Sequence, residues 1–333
     1  MNTSSATTGV QIDLSRSTFV IYICFGIIGV AGNGIVLFVI ARVKELRDTT
    51  NILIANQSLI DFTSSALLMA LFVAPLPPLP RRNQPLARFL CGFWYTQYPF
   101  WAMFPASGIN LTILTTERYL AVVHPLYYRN KMRPRLAVII SLIPWTFGML
   151  YMGYLPFLTT VRGQLCLQFL WPNDIMQPAV GIATIVIVFL LPFFAMTAMY
   201  VQIVRVLRAQ DANLSGKKLG AVHQARDYRN VARKNMIKTT LLLFTSYGIC
   251  LAPNNIIYLF YCLGGHVDFN GVLYYVTVCV AFISIWTNPF IYTLQYRKFQ
   301  RGLAVAFGCK RAGSSPHDVS ASVLTASEQI KSL

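Results

Sequence analysis

Charge is what this sequence has least of. Of its 333 residues only 12% are Asp, Glu, Lys or Arg, against roughly 25% in soluble domains, while 55% are apolar. A single globular core has no room for that much hydrocarbon, so an ordinary water-soluble globule is excluded. Acids are scarcer still, with 11 Asp and Glu against 28 Lys and Arg and a formal charge of +17. Histidine is down to four residues, His124, His223, His266 and His317, scattered through loops and tail. No nucleophile with its base and no metal cluster assembles from such groups, so no catalytic constellation is expected and the chain does not read as an enzyme.

What is present is hydrocarbon in long runs. Crossing about 30 Å of bilayer takes roughly 20 apolar residues as a helix. Seven windows of that length fall near residues 19–41, 51–76, 90–122, 136–157, 176–207, 235–262 and 270–295. The fold class expected is therefore an all-α membrane protein, a seven-transmembrane helix bundle. Residues 1–18 read as an extracellular amino terminus, 19–296 as the bundle, 297–309 as an amphipathic membrane-surface helix and 310–333 as a disordered tail. The first 17 residues carry no cationic stretch before the apolar run, so the first window is expected to be the insertion signal, without a cleaved peptide.

The cations give the orientation, because Lys and Arg in short loops favour the cytoplasmic side. Arg42, Lys44 and Arg47, then Arg129, Lys131, Arg133 and Arg135, then nine Lys/Arg from Arg205 to Lys238 alternate with sparsely charged loops. Arg16, Arg81, Arg82, Arg88 and Arg162 lie on the other side. The expectation is a multi-pass plasma-membrane protein, amino terminus outside and carboxyl terminus inside. Cations at membrane boundaries suit anionic lipid headgroups, and no nucleic acid is expected as a partner. Cys91 and Cys166 fall at or beyond outer helix ends in an oxidising compartment, where a disulfide is the economical pairing. Cys24, Cys250 and Cys279 lie within apolar windows, and Cys262 has no evident partner. Asn2-Thr3-Ser4 is the one plausible outer glycosylation acceptor.

Ionisable groups at membrane depth are functional-site hypotheses by default, and Asp61 is the one near mid-span. Asn33, Ser107 and Asn288 could relieve it. Two readings stand: a carboxylate for a small hard cation or a proton, or a neutral Asp that ties helices by hydrogen bonds. The third window closes in Glu117-Arg118-Tyr119, and the seventh carries Asn288-Pro289-Phe290-Ile291-Tyr292.

With Gly32-Asn33, Asp61, Trp145, Pro192, Tyr200 and Cys250-Leu251-Ala252-Pro253 in order on their windows, these motifs resemble rhodopsin-like (class A) G-protein-coupled receptors. Thr116 to Pro125 looks most like the neuropeptide receptors. The resemblance implies a receptor whose sixth helix swings outward to admit a heterotrimeric G protein. It assigns Glu117, Arg118, Tyr119, Tyr200, Leu251, Pro253, Asn288, Pro289 and Tyr292 to coupling and activation. It assigns Asp61, Ser107, Ser284 and Asn288 to an allosteric sodium pocket that favours the resting state, and implies no other cofactor. This chain departs from the family in three places. Leu251 replaces the usual tryptophan, with Phe104 or Tyr247 as candidate substitutes. Cys91 lies two residues further from Arg118 than usual, which a bulge near Pro99 or Pro105 would absorb. Arg233-Lys234-Asn235 offers no acid to Arg118 across the bundle, so basal signalling is expected.

Phe100 stands where amine receptors carry an aspartate, and Phe282 where an opsin carries its lysine. The walls expected around a ligand are Gln97, Phe100, Trp101, Phe104, Asn254, Asn255, Tyr258, Tyr274 and Tyr275. Residues 159–169 read as a hairpin around Arg162-Gly163. Taken together these point to an extracellular peptide, with a lipid or other small molecule as the alternative and a transporter as a remote one. After Tyr292, the spacing of Phe299, Leu303 and Phe307 suits a surface helix ending at Cys309, a palmitoylation candidate. The Ser/Thr-rich tail would serve a receptor kinase and arrestin, by the same resemblance.

Overall fold

The computed structural model describes residues 14–214, 220–269 and 271–308, with side chains described at 18–210, 237–269 and 271–308. Asn2, Cys309 and the Ser/Thr-rich tail lie outside the described residues. Among the described residues six helices are long and apolar enough to cross a membrane. They are α1 (Leu14–Arg42), α2 (Thr49–Val73), α4 (Pro134–Leu158), α5 (Met176–Gln210, continuing to Leu214), α6 (Gly220–Cys262) and α7 (Val272–Gln295). The remaining window is α3, which is helical in pieces: Gln84–Phe89, Leu90–Tyr95, Tyr98–Trp101 and Met103–Val123. It begins before residue 90, where the apolar run starts, because Asn83 caps it by accepting from the Leu86 N–H. Buried Asn110, Thr115, Glu117 and Arg118 dilute its hydrocarbon content, yet α3 runs through the middle of the bundle and touches α2, α4, α5 and α6. A two-turn helix, Pro125–Lys131, joins it to α4.

Three of these helices are wound more loosely for part of their length, as π turns, at Met69–Val73 in α2, Leu90–Tyr95 in α3 and Thr184–Leu190 in α5. A π turn takes in an extra residue without breaking the helix and leaves backbone carbonyls poorly matched. In α3 it is followed by Gln97 in the left-handed conformation, φ 57°. The long Cys91 to Arg118 spacing is thus absorbed at residues 90–97, just ahead of Pro99, whereas Pro105 sits in regular helix. In α5 the Val188 carbonyl accepts from the Tyr247 hydroxyl of α6 at 3.3 Å. Gly108 of α3 makes that approach possible, since any Cβ there would overlap the Tyr247 phenol.

Beyond α4 the strands β1 (Thr160–Arg162) and β2 (Leu165–Leu167) pair antiparallel, with Val161 opposite Cys166. Gly163 at φ 63° supplies the positive φ that a two-residue hairpin turn needs. The last described helix is α8 (Arg297–Ala306). Its Phe299 is buried and Leu303 packs on the main core, while Gly302 lets it lie against Leu46. Phe307 falls just past the helix end, 59% exposed and in contact with Phe38 of α1.

Candidate functional site

Polar chemistry is concentrated at the end of the bundle where α3 closes. Glu117 is fully buried and Arg118 nearly so, and two adjacent opposite charges out of water must be paired and hydrogen-bonded to be tolerated. The Arg118 guanidinium forks back onto its neighbour, Nε to Oε2 at 2.5 Å and Nη2 to Oε1 at 2.8 Å. Glu117 Oε1 also accepts from Thr50 Oγ1 of α2 at 3.0 Å and from the Tyr128 hydroxyl at 2.5 Å. Burial, reinforced by the Glu117 charge, pushes the Tyr128 phenol well above its usual range, so it remains a donor. Thr50 and Tyr128 escaped the sequence reading because neither lies near Glu117 in helical spacing.

The other residues expected here lie close by in separate settings. The Tyr119 hydroxyl donates to Gln202 Oε1 of α5 at 3.0 Å. Tyr200 packs on a small apolar cluster of Val122, Ile203 and Ile237, which holds α3, α5 and α6 together at this end. Tyr292 is fully buried in the main core, with its hydroxyl lacking a hydrogen-bond partner among the described residues. The Tyr296 hydroxyl instead faces the buried Asn51 side chain of α2. Leu251 is buried in the main core beside α7, and Pro253 lies within α6 as Pro289 lies within α7.

A second polar cluster lies deeper. Asp61 Oδ2 accepts from Asn288 Nδ2 of α7 at 2.6 Å. Gln57, one turn earlier on α2, points its amide NH2 at both Asp61 oxygens, at 3.1 and 3.3 Å, and at Ser107 Oγ of α3, at 2.6 Å. Ser107 therefore reaches Asp61 only through Gln57. Two expected members stand apart. The Ser284 hydroxyl donates to the Ala281 carbonyl of its own helix at 2.7 Å, a local bond that serine readily makes. Asn33 gives its NH2 to the Gly29 and Ile285 carbonyls, both at 3.0 Å. A hard cation needs several oxygen ligands turned towards it, whereas here the Asp61 and Ser107 oxygens already accept from NH2 groups. The residues do not fit the sodium ion that the resemblance implies. Gln57 was within reach of the sequence, since four residues before Asp61 is the same helix face.

The opposite end is aromatic. A disulfide joins Cys91, in the loosely wound part of α3, to Cys166 of β2. Phe100 is fully buried instead of lining an open wall, because Phe72, Trp101, Phe104 and Phe282 enclose it with ring centroids 5.0 to 5.4 Å away. It touches Phe282, so the two positions that carry charge in other receptors fill each other's space here. Above them the Trp101 indole donates to Gln97 Oε1 at 3.3 Å. Tyr258 pairs hydroxyl to hydroxyl with Tyr154 at 3.0 Å, and Tyr274 packs on Phe269 and Tyr275. Asn255 spends its NH2 on the Leu251 carbonyl of its own helix at 2.9 Å, and Asn254 is half-buried nearby.

Comparison with known proteins agrees with this arrangement. Residues 32–292 match the family model described as 7 transmembrane receptor (rhodopsin family). Galanin receptor type 1 of Rattus norvegicus is 25% identical over 90% of this chain and 85% of its own length. Somatostatin receptor type 4 of Rattus norvegicus is 26% identical over 84% of this chain and 70% of its own. The Substance-K receptor of Homo sapiens is 27% identical over 86% and 72% respectively. A buried Glu-Arg pair closing α3, an Asp61 to Asn288 contact between α2 and α7, a disulfide-held hairpin and a match across all the membrane helices lead to one conclusion: the chain is a multi-pass membrane receptor, not an enzyme, and belongs to the rhodopsin family of seven-transmembrane receptors.

Proposed function

We propose that this receptor sits in the plasma membrane with its hairpin end outside and its Arg118 end in the cytoplasm, binds an extracellular peptide, and activates a heterotrimeric G protein by outward movement of α6. The observation that carries the signalling step is the balance at the Arg118 end. There α6 is held to α3 and α5 by the apolar contacts of Ile237, while the Tyr292 hydroxyl is buried without a partner among the described residues. An unpaired buried polar group costs about 1–3 kcal/mol, and the burial of one aliphatic side chain contributes about as much. A conformation that gives up the second and satisfies the first is therefore close in energy, which is what a ligand-biased two-state switch requires. Basal signalling above that of mock-transfected cells is part of this reading, since the segment Arg233-Lys234-Asn235 carries no acid.

The peptide is supported by the relatives, whose names give galanin, somatostatin and substance K as their ligands. The charge at the hairpin end agrees. Arg81, Arg82, Arg88 and Arg162 outnumber Asp174 and Asp268, and Arg81 reaches over to Gln164 of the hairpin at 2.8 Å. An acidic or carboxyl-terminally charged peptide gains association rate from that field. Binding would draw on Gln97, Trp101, Asn254, Tyr258, Tyr274 and Tyr275. The aromatic core around Phe100 favours a lipid or other small apolar ligand as the second reading. A receptor kinase and arrestin acting on the tail, a lipid anchor at Cys309 and a glycan at Asn2 complete the proposal. Sodium has no part in it.

The test is G-protein dissociation in cells challenged with a peptide library, comparing wild type with Arg118→Ala at matched surface expression. A peptide response that disappears in the mutant is expected. An undiminished response in Arg118→Ala would overturn the assignment of the coupling end, and silence to peptides beside a basal signal would move the ligand to the second reading.

A further inference from the structure

We infer that the Gln57 side-chain amide takes the place of a cation at Asp61, held there by a one-way chain of hydrogen bonds that starts at the Trp145 indole, so that this bundle is indifferent to sodium. The argument begins with polarity. An indole N–H only donates. Trp145 Nε1 of α4 donates to Asn56 Oδ1 at 3.0 Å, which fixes which way the Asn56 amide faces. Asn56 Nδ2 must then point the other way, and it donates to Asn110 Oδ1 at 2.8 Å and to the Ser141 carbonyl at 3.2 Å. The same logic turns Asn110, whose Nδ2 donates to Gln57 Oε1 at 2.9 Å and to the Leu53 carbonyl at 3.2 Å. With its oxygen so engaged, Gln57 has only its NH2 to present to Asp61 and Ser107.

Each amide in the chain is buried, Gln57 and Asn110 completely. Reversing one of them would set NH2 against NH2 at one neighbour and C=O against C=O at the next, a costly mismatch at buried positions. Polarity therefore runs from α4 through α2 and α3 back to α2, and ends on the Asp61 carboxyl group, which Asn288 closes from α7. The NH2 at the end of the chain has the partial positive charge and the donors that satisfy carboxyl oxygens. A sodium ion entering the same space would have to displace an amide that donates to three oxygens and cannot turn away. Gln57, rather than an ion from solution, then sets how α2, α3 and α7 are held at this depth.

The experiment is thermal unfolding of the purified full-length receptor in lipid nanodiscs, in NaCl and in KCl at equal ionic strength. It needs neither ligand nor G protein, so it fails or succeeds independently of the signalling proposal. Wild type is expected to unfold at the same temperature in both salts. Gln57→Leu, which withdraws the amide and leaves Asp61 and Ser107 with unmatched oxygens, is expected to gain a sodium-specific rise of roughly 2–4 °C, the size that weak-to-moderate ion binding gives a chain of this length. Should Gln57→Leu not fold, Gln57→Ala opens the same space and is expected to respond likewise. Trp145→Phe, which removes the donor that sets the polarity, is expected to show a smaller response of the same sign. A sodium-specific rise in wild type overturns the inference. Indifference of the Gln57 variants overturns it too, because the amide would then not be what keeps the ion out.

Discussion

The two ends of this bundle solve opposite problems with opposite means. Towards the hairpin, the irregularity is in the backbone: all three π turns and the left-handed Gln97 lie in that half, and the side chains packed between the helices are largely aromatic. Towards Arg118, the backbone of α2, α3 and α5 is regular, and the irregularity is in the side chains, where a buried ion pair, a carboxylate oxygen shared by several donors and the unpartnered Tyr292 hydroxyl lie in the same half. Winding a helix loosely changes the width of the space between helices without burying charge. Burying charge in a regular frame stores a choice between two hydrogen-bonding arrangements. Shape is therefore adjusted at the end proposed to meet a ligand, and a switch is kept at the end proposed to meet the G protein.

The largest effect should come from removing the one covalent tie at the hairpin end. Cys166→Ala releases a crosslink spanning 75 residues of chain, and a native disulfide is commonly worth about 2–5 kcal/mol. Lower surface expression is expected, together with weakened ligand response in the receptors that do reach the surface. The Arg118 pair should survive, so basal signal per surface receptor should hold. Binding isotherms and basal signal, both normalised to surface count, check this, and parallel loss of both would show that the two ends are not separable.

A middle-sized effect is expected from the other end. Tyr128→Phe removes one donor from a buried carboxylate, and a hydrogen bond to a charged group contributes about 1.5–3 kcal/mol. Glu117 then holds Arg118 in a less satisfied setting, and the resting conformation loses ground. Basal G-protein dissociation should rise several-fold with ligand affinity unchanged or slightly higher. Unchanged basal signal would show that Tyr128 fastens the loop helix and nothing more.

The smallest effect probes the irregular backbone itself. Gln97→Gly removes the steric cost of a left-handed residue, about 1–2 kcal/mol, but also the acceptor of the Trp101 indole. A net gain of at most about 1 kcal/mol in thermal stability is expected, with some loss of ligand affinity if the strained turn positions Trp101. A loss of stability would mean that the indole hydrogen bond outweighs the strain.

Much of this was legible in order along the chain. Asp61, Glu117-Arg118 and Asn288 to Tyr292 stand out because polar groups in long apolar windows are conspicuous, and the Cys91 and Cys166 pairing follows from their places at helix ends. The long spacing from Cys91 to Arg118 announced an extra length of chain in α3 but put it slightly too late. Nothing in composition marks a π turn, because one added residue leaves the apolar pattern almost intact. Thr50, Tyr128, Asn110 and Trp145 were ordinary residues until their partners across the bundle were known.

The sequence by itself determined that this chain lives in a bilayer, how many helices it threads, which family it belongs to and which charged groups must find partners. Those are consequences of hydrophobicity and of motifs read along one strand of text. Only the tertiary structure decided where each donor points. Hydrogen bonds between helices depend on rotations and heights that no spacing records, and so Ser284 turned back to its own helix while Gln57 turned its amide to Asp61.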